Sequence, residues 1–361
     1  MTQIRKKFRS LVIRGGHNAA KHLAEHGFQQ QHVKAMLGAS GGPKWFVLSG
    51  LDKALLGETF KERTDPLHLL GSSAGCWRFT CYSTAAPVAA IHRFQEAYIA
   101  DSYEKRPAAA EVTRHVKGIL KEILGDNGPA EILNNPVFRL NLVVDQGHGP
   151  LAFQNTALQM MGLMAASVGN AVHQKLLGAL FSRVLFQHPS GGFPFGSLND
   201  LPTRSVKLAE DNVADAVLAS GSIPMVLEGV KDIAGAGKGL YLDGGVTDYH
   251  FNLPLTVDDG LVLYPHFREQ PVPGWFDKGL PWRKPDAENY RRTLIVAPSA
   301  EFVSKLPYGK IPDRKDFTKL DTESRQKYWR IAVQESERLG DEWLELVEKQ
   351  LLSEVLQPLT F

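Results

Sequence analysis

The amino-acid sequence predicts an α/β protein, a three-layer α/β/α sandwich in which helices cover both faces of a mainly parallel sheet. Three observations carry that expectation. Short β-rich runs alternate with helical stretches along the chain. Several of these runs are apolar throughout, as parallel strands buried on both faces are, instead of alternating with polar residues. The composition is that of an ordinary folded protein, 361 residues with 43% hydrophobic and 22% charged, enough for one large domain or two modest ones with a substantial core.

In chain order the expected strands are residues 33–37, 67–70, 138–144, 205–208, 240–243, 261–264 and 293–297. A helix is expected over 45–56, between the first two strands, and another over about 74–86, after the second. Three segments depart from this alternation. Residues 146–174 contain no Asp, Glu, Lys or Arg, and Met160, Met161, Leu163, Met164 and Val168 make them strongly apolar. The expectation there is a buried helix, with the alternative of an acyl-chain wall or lid, because methionines adapt to irregular apolar ligands. Residues 267–292 are crowded with proline, tryptophan and charge and read as a long surface loop. Its Trp275 and Trp282, near Arg283, Lys284, Arg291 and Arg292, suit contact with a lipid interface. Residues 321–355 carry Trp329, Ala332, Val333, Leu339, Trp343, Leu346, Val347 and Leu351 near helical spacing, with Gly340 expected to break the helix in two.

The balance of charge limits the function. Forty-one Lys and Arg against 39 Asp and Glu leave a net charge of +2, so no global field draws the chain to nucleic acid. The two cysteines, Cys76 and Cys81, fall on different faces of one expected helix and can form neither a disulfide nor a zinc set. The basic start, Met1 to Arg9, is followed by only Leu11, Val12 and Ile13, too few for the apolar region of a signal peptide, so the expected location is cytoplasmic.

The sharpest local signal is Gly71-Ser72-Ser73-Ala74-Gly75, placed between an apolar run and a helix-like stretch. This is G-x-S-x-G in the strand-turn-helix setting of a nucleophile elbow, where small neighbours permit the tight turn that exposes the serine hydroxyl. A second match, Gly38-Ala39-Ser40-Gly41-Gly42, follows the earlier strand. Its backbone NH groups suit an oxyanion or a phosphate. Pro43 has no NH, so Gly41 and Gly42 are the candidate donors, and Lys44 adds positive charge. A serine needs a base, and Asp243 is the candidate, delivered by the run Leu240-Tyr241-Leu242 to the turn Gly244-Gly245. Asp-Gly-Gly is also a common turn. Among 12 histidines, His266 stands in the order Ser73, Asp243, His266 of a triad, and His250 is a second candidate.

These motifs resemble those of the patatin-like phospholipases, serine acyl hydrolases that work with a Ser-Asp dyad. Ser40-Gly41-Gly42-Pro43-Lys44 resembles the family's glycine-rich oxyanion loop, and Gly71 to Gly75 its elbow. Ala219-Ser220-Gly221-Ser222-Ile223-Pro224 resembles the segment before the acid, and Asp243-Gly244-Gly245 the acid motif itself. All four occur in the family's order. Two positions differ: Ser40 replaces the first glycine of the loop, and Trp45 stands where another glycine is usual. The resemblance spans Val33 to Thr247; neither the first 32 residues nor the chain after about 248 has a counterpart.

The resemblance implies a patatin-like fold and a carboxylic ester hydrolase of the phospholipase A or lysophospholipase type; Glu, Asp and His are scattered without H-E-x-x-H or comparable spacing, so the reaction is expected to need no cofactor. Ser73 and Asp243 would be catalytic, Gly41 and Gly42 the oxyanion hole, and Lys44, Gly71, Gly75, Gly244 and Gly245 supporting residues. The expected partner is a lipid or acyl-ester substrate, with peripheral membrane contact and without nucleic acid. Residues 1–300 are expected to form the hydrolase domain with an N-terminal extension, and 301–361 a loop and helical segment packed on it. The alternatives are a Ser-His-Asp esterase using His266 and a non-catalytic binding protein on a hydrolase fold.

Overall fold

The apolar runs become the middle of one twisted sheet. A computed structural model describes residues 10–103 and 107–361, so the basic Met1–Arg9 stretch lies outside the described residues. The strands are β1 (Leu11–Gly15), β2 (Val33–Gly38), β3 (Leu67–Gly71), β4 (Phe138–Gly147), β5 (Phe181–Gln187), β6 (Thr203–Lys207), β7 (Val230–Lys231), β8 (Leu240–Asp243), β9 (Leu261–Pro265), β10 (Thr293–Pro298) and β11 (Gln357–Pro358). Their order is β11-β1-β10-β9-β2-β3-β4-β5-β6, with β8 on β4 and β7 on β8. The run from β10 through β9, β2 and β3 to β4 is parallel, and helices flank the sheet, making a mainly parallel α/β/α protein.

Four strands escape the apolar-run criterion: β7 and β11 are only 2 residues long, and β1 and β5 escape it for the following reasons. In β1 the buried residues alternate with the half-buried Val12 and Arg14, and the strand is only 5 residues long. In β5 the run is interrupted by Arg183, which is 1% exposed. Its guanidinium is held by Asp248 at 2.6 Å and Asp200 at 2.7 Å, so a charge sits inside the core because it is fully paired.

Strand β4 positions the site. Its first half pairs with β3, up to Gly71 opposite Leu142. Its second half pairs with β8, which runs antiparallel and ends with Asp243 opposite Val144. Since β5 occupies the other edge of β4, β3 and β8 share one edge and approach head to head. A mainly parallel sheet would bring Asp243 in on a strand parallel to β3, with the carboxyl ends of both on one edge; β8 instead runs antiparallel to β4.

The helical expectations change in detail. The stretch 45–56 starts as a 3₁₀ turn (Gly42–Leu48), continues as an α-helix (Ser49–Ala54) and ends in a wider π turn (Leu55–Thr59). The helix after β3 covers Ala74–Tyr82 and stops there. The hydroxyls of Ser83 and Thr84 bond back to the carbonyls of Phe79 and Cys81, and Pro87 opens a new helix, Pro87–Ala100. Cys76 and Cys81 are both free and buried. Residues 267–292 are irregular apart from the short turns Trp275–Gly279 and Ala287–Tyr290.

Gly340 does not break the last long helix, which runs unbroken over Thr322–Glu348. It serves close packing. A Cβ there would lie 2.6 Å from the Gly50 carbonyl, and one on Gly50 would lie 2.2 Å from that of Ser336. The two glycines let the helices Ser49–Ala54 and Thr322–Glu348 cross with their backbones nearly touching.

The uncharged segment forms the helix Thr156–Val172, capped by the Asn155 side chain, which accepts from the NH groups of Ala157 and Leu158. It is not buried as expected. Its inner stripe is Gln159, Gly162, Ala166 and Asn170, while Met161, Met164 and Val168 are 61%, 65% and 68% exposed. Gly162 packs so tightly on Leu151 that a Cβ would lie 2.6 Å from Leu151 Cγ. Small and amide side chains therefore face the body, and the methionines face outward, the reverse of ordinary amphipathic packing. Among the described residues no helix is long and apolar enough to cross a membrane.

Candidate active site

The elbow is built by glycines that no other residue could replace. A Cβ on Gly75 would lie 1.9 Å from the Gly38 carbonyl oxygen, and one on Gly71 would lie 2.4 Å from Cys76 Cα. This closeness brings the N-terminus of the helix Ala74–Tyr82 directly against β2 and forces the turn between strand and helix onto Ser73. Ser73 accordingly has φ 52° and ψ −125°, a strained backbone for a residue with a side chain. Its NH donates to Ser220 Oγ at 3.0 Å, and Ser220 Oγ donates to the Val143 carbonyl at 2.8 Å. The strained residue is thus tied to β4.

Ser73 Oγ donates to Asp243 Oδ2 at 2.8 Å. The other carboxylate oxygen, Oδ1, accepts the Gly245 NH at 2.7 Å, and the Asp243 NH donates to the Ser222 carbonyl at 2.9 Å. Gly244 and Gly245 permit this turn: a Cβ on the first would lie 2.2 Å from the Val143 carbonyl, and on the second 2.2 Å from Ser40 Oγ. Asp243 and Ser73 are each 4% exposed. Burial raises the Asp243 pKa above its ordinary value, and Arg314 and the hydrogen bond from Ser73 oppose that rise.

The loop after β2 lies beside the pair. Ser40 Oγ donates to Ser72 Oγ at 3.0 Å, so the serine in place of a glycine is used to tie the loop to the elbow. Gly41 and Gly42 follow, and among the described residues no protein acceptor takes either NH. Gly42 has φ +56°, a backbone that favours glycine. Trp45 does not intrude on the cleft: it is 1% exposed and stacks on Phe94 with centroids 4.5 Å apart. Lys44 is half-buried, its Nζ 5.9 Å from the Phe267 ring centroid, and burial lowers its pKa.

The histidine alternative finds no geometry. His266 is buried, its Nδ1 accepts the Arg268 NH at 2.9 Å, and its ring faces His250, Tyr264 and Phe267. His250 Nδ1 accepts the Val272 NH at 2.8 Å. Neither ring bonds to Ser73 or Asp243, and burial lowers the His266 pKa to about 3. The nearby Cys76 thiol is pushed up to about 12 by burial, so it stays protonated. Among the described residues no group of three or more His, Cys, Asp or Glu could hold a metal ion.

Beside the Ser-Asp pair opens a cavity of about 280 Å³. Leu163, Ile223, Met225, Val246 and Trp275 give it an apolar wall, and Ser40, Asp243, Tyr249 and Arg314 its polar end. Sequence reasoning named Ser73, Asp243 and the glycines. It missed Ser220 and Ser222 as supports, although both lie in the segment that resembles the family's, and it missed Arg314, which no motif marks.

Comparison with protein-family models finds no match, and comparison with curated proteins finds none. Among solved structures, the chain is similar to VipD from Legionella pneumophila at a TM-score of 0.32 and 12% identity, covering 75% of this chain and 56% of VipD. The chain therefore spans little more than half the length of that protein.

Proposed function

We propose that this chain is a serine acyl hydrolase of lipid-like esters that works through a Ser73-Asp243 dyad, as the patatin-like phospholipases resembled by its motifs do. One observation carries the reading: the Ser73 hydroxyl, on a strained elbow, donates at 2.8 Å to a buried carboxylate beside an apolar cavity. In the first half-reaction Asp243 takes the Ser73 proton as Oγ bonds to the ester carbonyl carbon. The Gly41 and Gly42 NH groups stabilise the oxyanion, and collapse expels the alcohol, which leaves with the proton from Asp243. Water then attacks the acyl-serine, giving its proton to Asp243, and the acid departs as that proton returns to Ser73.

A fluorophosphonate probe followed against pH tests this. The expected result is stoichiometric labelling of Ser73 whose rate falls in acid along one limb. That limb should lie above the ordinary aspartate value of 3.8, because burial raises the Asp243 pKa and only the ionised carboxylate accepts the proton. Absence of labelling at any pH favours the binding-protein reading instead.

The apolar wall is proposed to hold the acyl chain, and the outward methionines with Trp275 and Trp282 to meet the lipid interface from which it comes. Leu163 lines the cavity and Met164 is its exposed neighbour. Leu163→Glu is expected to raise the KM for long-chain esters about tenfold more than for short-chain ones, since each buried CH₂ contributes about 0.8 kcal/mol. An equal rise for both chain lengths removes the acyl chain from this wall.

A further inference from the structure

We propose that Arg314 and Lys278 form an anion subsite at the polar end of the cavity, which receives the phosphate or carboxylate headgroup of the substrate. The word substrate rests on the hydrolase reading above. The anion site itself rests on four observations about residues beyond the motif-bearing part of the chain.

Arg314 lines the same cavity as Ser40 and Asp243. Its side chain lies against Gly42, where a Cβ would come within 2.8 Å of Arg314 Nε, so the glycine of the candidate oxyanion loop is what gives the guanidinium its place. Lys278 comes from the turn Trp275–Gly279, and its Nζ stands 3.7 Å from the Tyr249 ring centroid and 5.4 Å from that of Trp275. Both rings line the cavity. Two separate loops thus bring cations to the polar end of the cavity, opposite its apolar wall.

Neither cation has an anion of its own. Among the described residues no carboxylate forms an ion pair with the Arg314 or Lys278 side chain. Asp277, next to Lys278 in the chain, is already engaged by Asn170 Nδ2 at 2.7 Å and by the Gly274 NH at 2.9 Å, with Arg283 at 3.6 Å. Asp243 has both oxygens occupied, by Ser73 and Gly245. Lys44 and Arg268 add further positive charge, against Asp243 and Asp313 as the carboxylates acting on this group. The surplus is positive.

The electrostatics fit that arrangement. Lys278 stands exposed at the rim; partial desolvation, then repulsion from Arg314 and Lys44, lowers its pKa, and a bound anion would offset that repulsion. A cleft with low-dielectric walls concentrates such a field. The planar guanidinium fork matches the oxygens of phosphate or carboxylate. With an apolar wall next to it, the site suits an amphiphile with an anionic head more than a free anion.

Calorimetry on the full chain carrying Ser73→Ala separates binding from turnover. The ligands are octyl phosphate, octanoate, neutral octyl glucoside and inorganic phosphate. Octyl phosphate or octanoate is expected to bind at least about tenfold more tightly than the glucoside, a gap of about 1.4 kcal/mol. Whichever anion binds better identifies the headgroup. Adding Arg314→Gln should close the gap, Arg314→Lys should restore part of it, and Lys278→Gln, at the exposed rim, should narrow it even if the Arg314 variant does not fold. Equal binding of the glucoside, or an unchanged gap in a folded Arg314→Gln variant, overturns the proposal. Inorganic phosphate binding as tightly as octyl phosphate overturns it too, because the apolar wall would then play no part. Loss of the hydrolase reading would register separately, as failed fluorophosphonate labelling with the anion preference intact.

Discussion

Ser73→Ala and Asp243→Asn are each expected to lower kcat for ester hydrolysis by about 10⁴-fold or more, and the double variant by little beyond that, since residues acting as one unit are not additive. The reason is the single bond at 2.8 Å between them. Without Oγ there is nothing to form the acyl-enzyme, and without the carboxylate the hydroxyl keeps its proton. An uncharged Asn can still accept the Gly245 NH, so the Asp243 loop should hold its shape. The two variants should differ in stability. Because burial raises the folded-state pKa of Asp243 above 3.8, the native chain binds more protons than the unfolded one between those values. Stability therefore falls as pH rises through that interval and stays lowered above it. Asp243→Asn removes the cost of the buried charge and should melt higher than wild type at neutral pH while inactive. Measured turnover within tenfold of wild type in either variant would end the dyad reading.

Arg78→Met is expected to destabilise the protein by about 3–5 kcal/mol, the usual cost of leaving one member of a buried ion pair alone. Arg78 lies in the elbow helix at 1% exposure and grips Asp52, at 0% exposure, with Nε 2.8 Å from Oδ2 and Nη2 on Oδ1. Tyr82 Oη donates to the same carboxylate at 2.9 Å. The pair joins the elbow helix to the helix Ser49–Ala54, which in turn packs on Thr322–Glu348. Removing the guanidinium leaves a fully buried carboxylate with one neutral donor. Denaturant melts of Arg78→Met, Asp52→Asn and the double variant should show the double to be less damaged than the sum of the singles. A loss below about 1 kcal/mol for Arg78→Met would mean that the core relaxes to let water reach Asp52.

Legibility varied with the kind of residue. The buried parallel strands were readable because nothing in 33–37, 67–70 or 261–264 competes with their apolar character except isolated residues such as Lys34 and His68. β5 was hidden by Arg183, whose partners Asp200 and Asp248 lie far along the chain. The helix Thr156–Val172 reads as buried because apolar residues normally face inward, whereas its inner stripe is Gln159, Gly162, Ala166 and Asn170. Gly340 reads as a break in sequence because local propensity gives no hint of the Gly50 carbonyl pressed against it.

For the site the division follows the range of the forces involved. Groups that local backbone geometry demands can be read from their neighbours in the chain: Ser73 between Gly71 and Gly75, Asp243 before Gly244 and Gly245, and the glycine loop after β2. Tight turns leave a signature in neighbouring residues because steric limits act over a few bonds. Long-range packing alone makes β8 run antiparallel along β4 to meet the end of β3, turns His266 away from the pair, and lays Arg314 against Gly42. Those outcomes depend on strand register and on packing between segments distant in the chain, and a charge or ring that acts through space leaves no mark on the residues beside it in sequence.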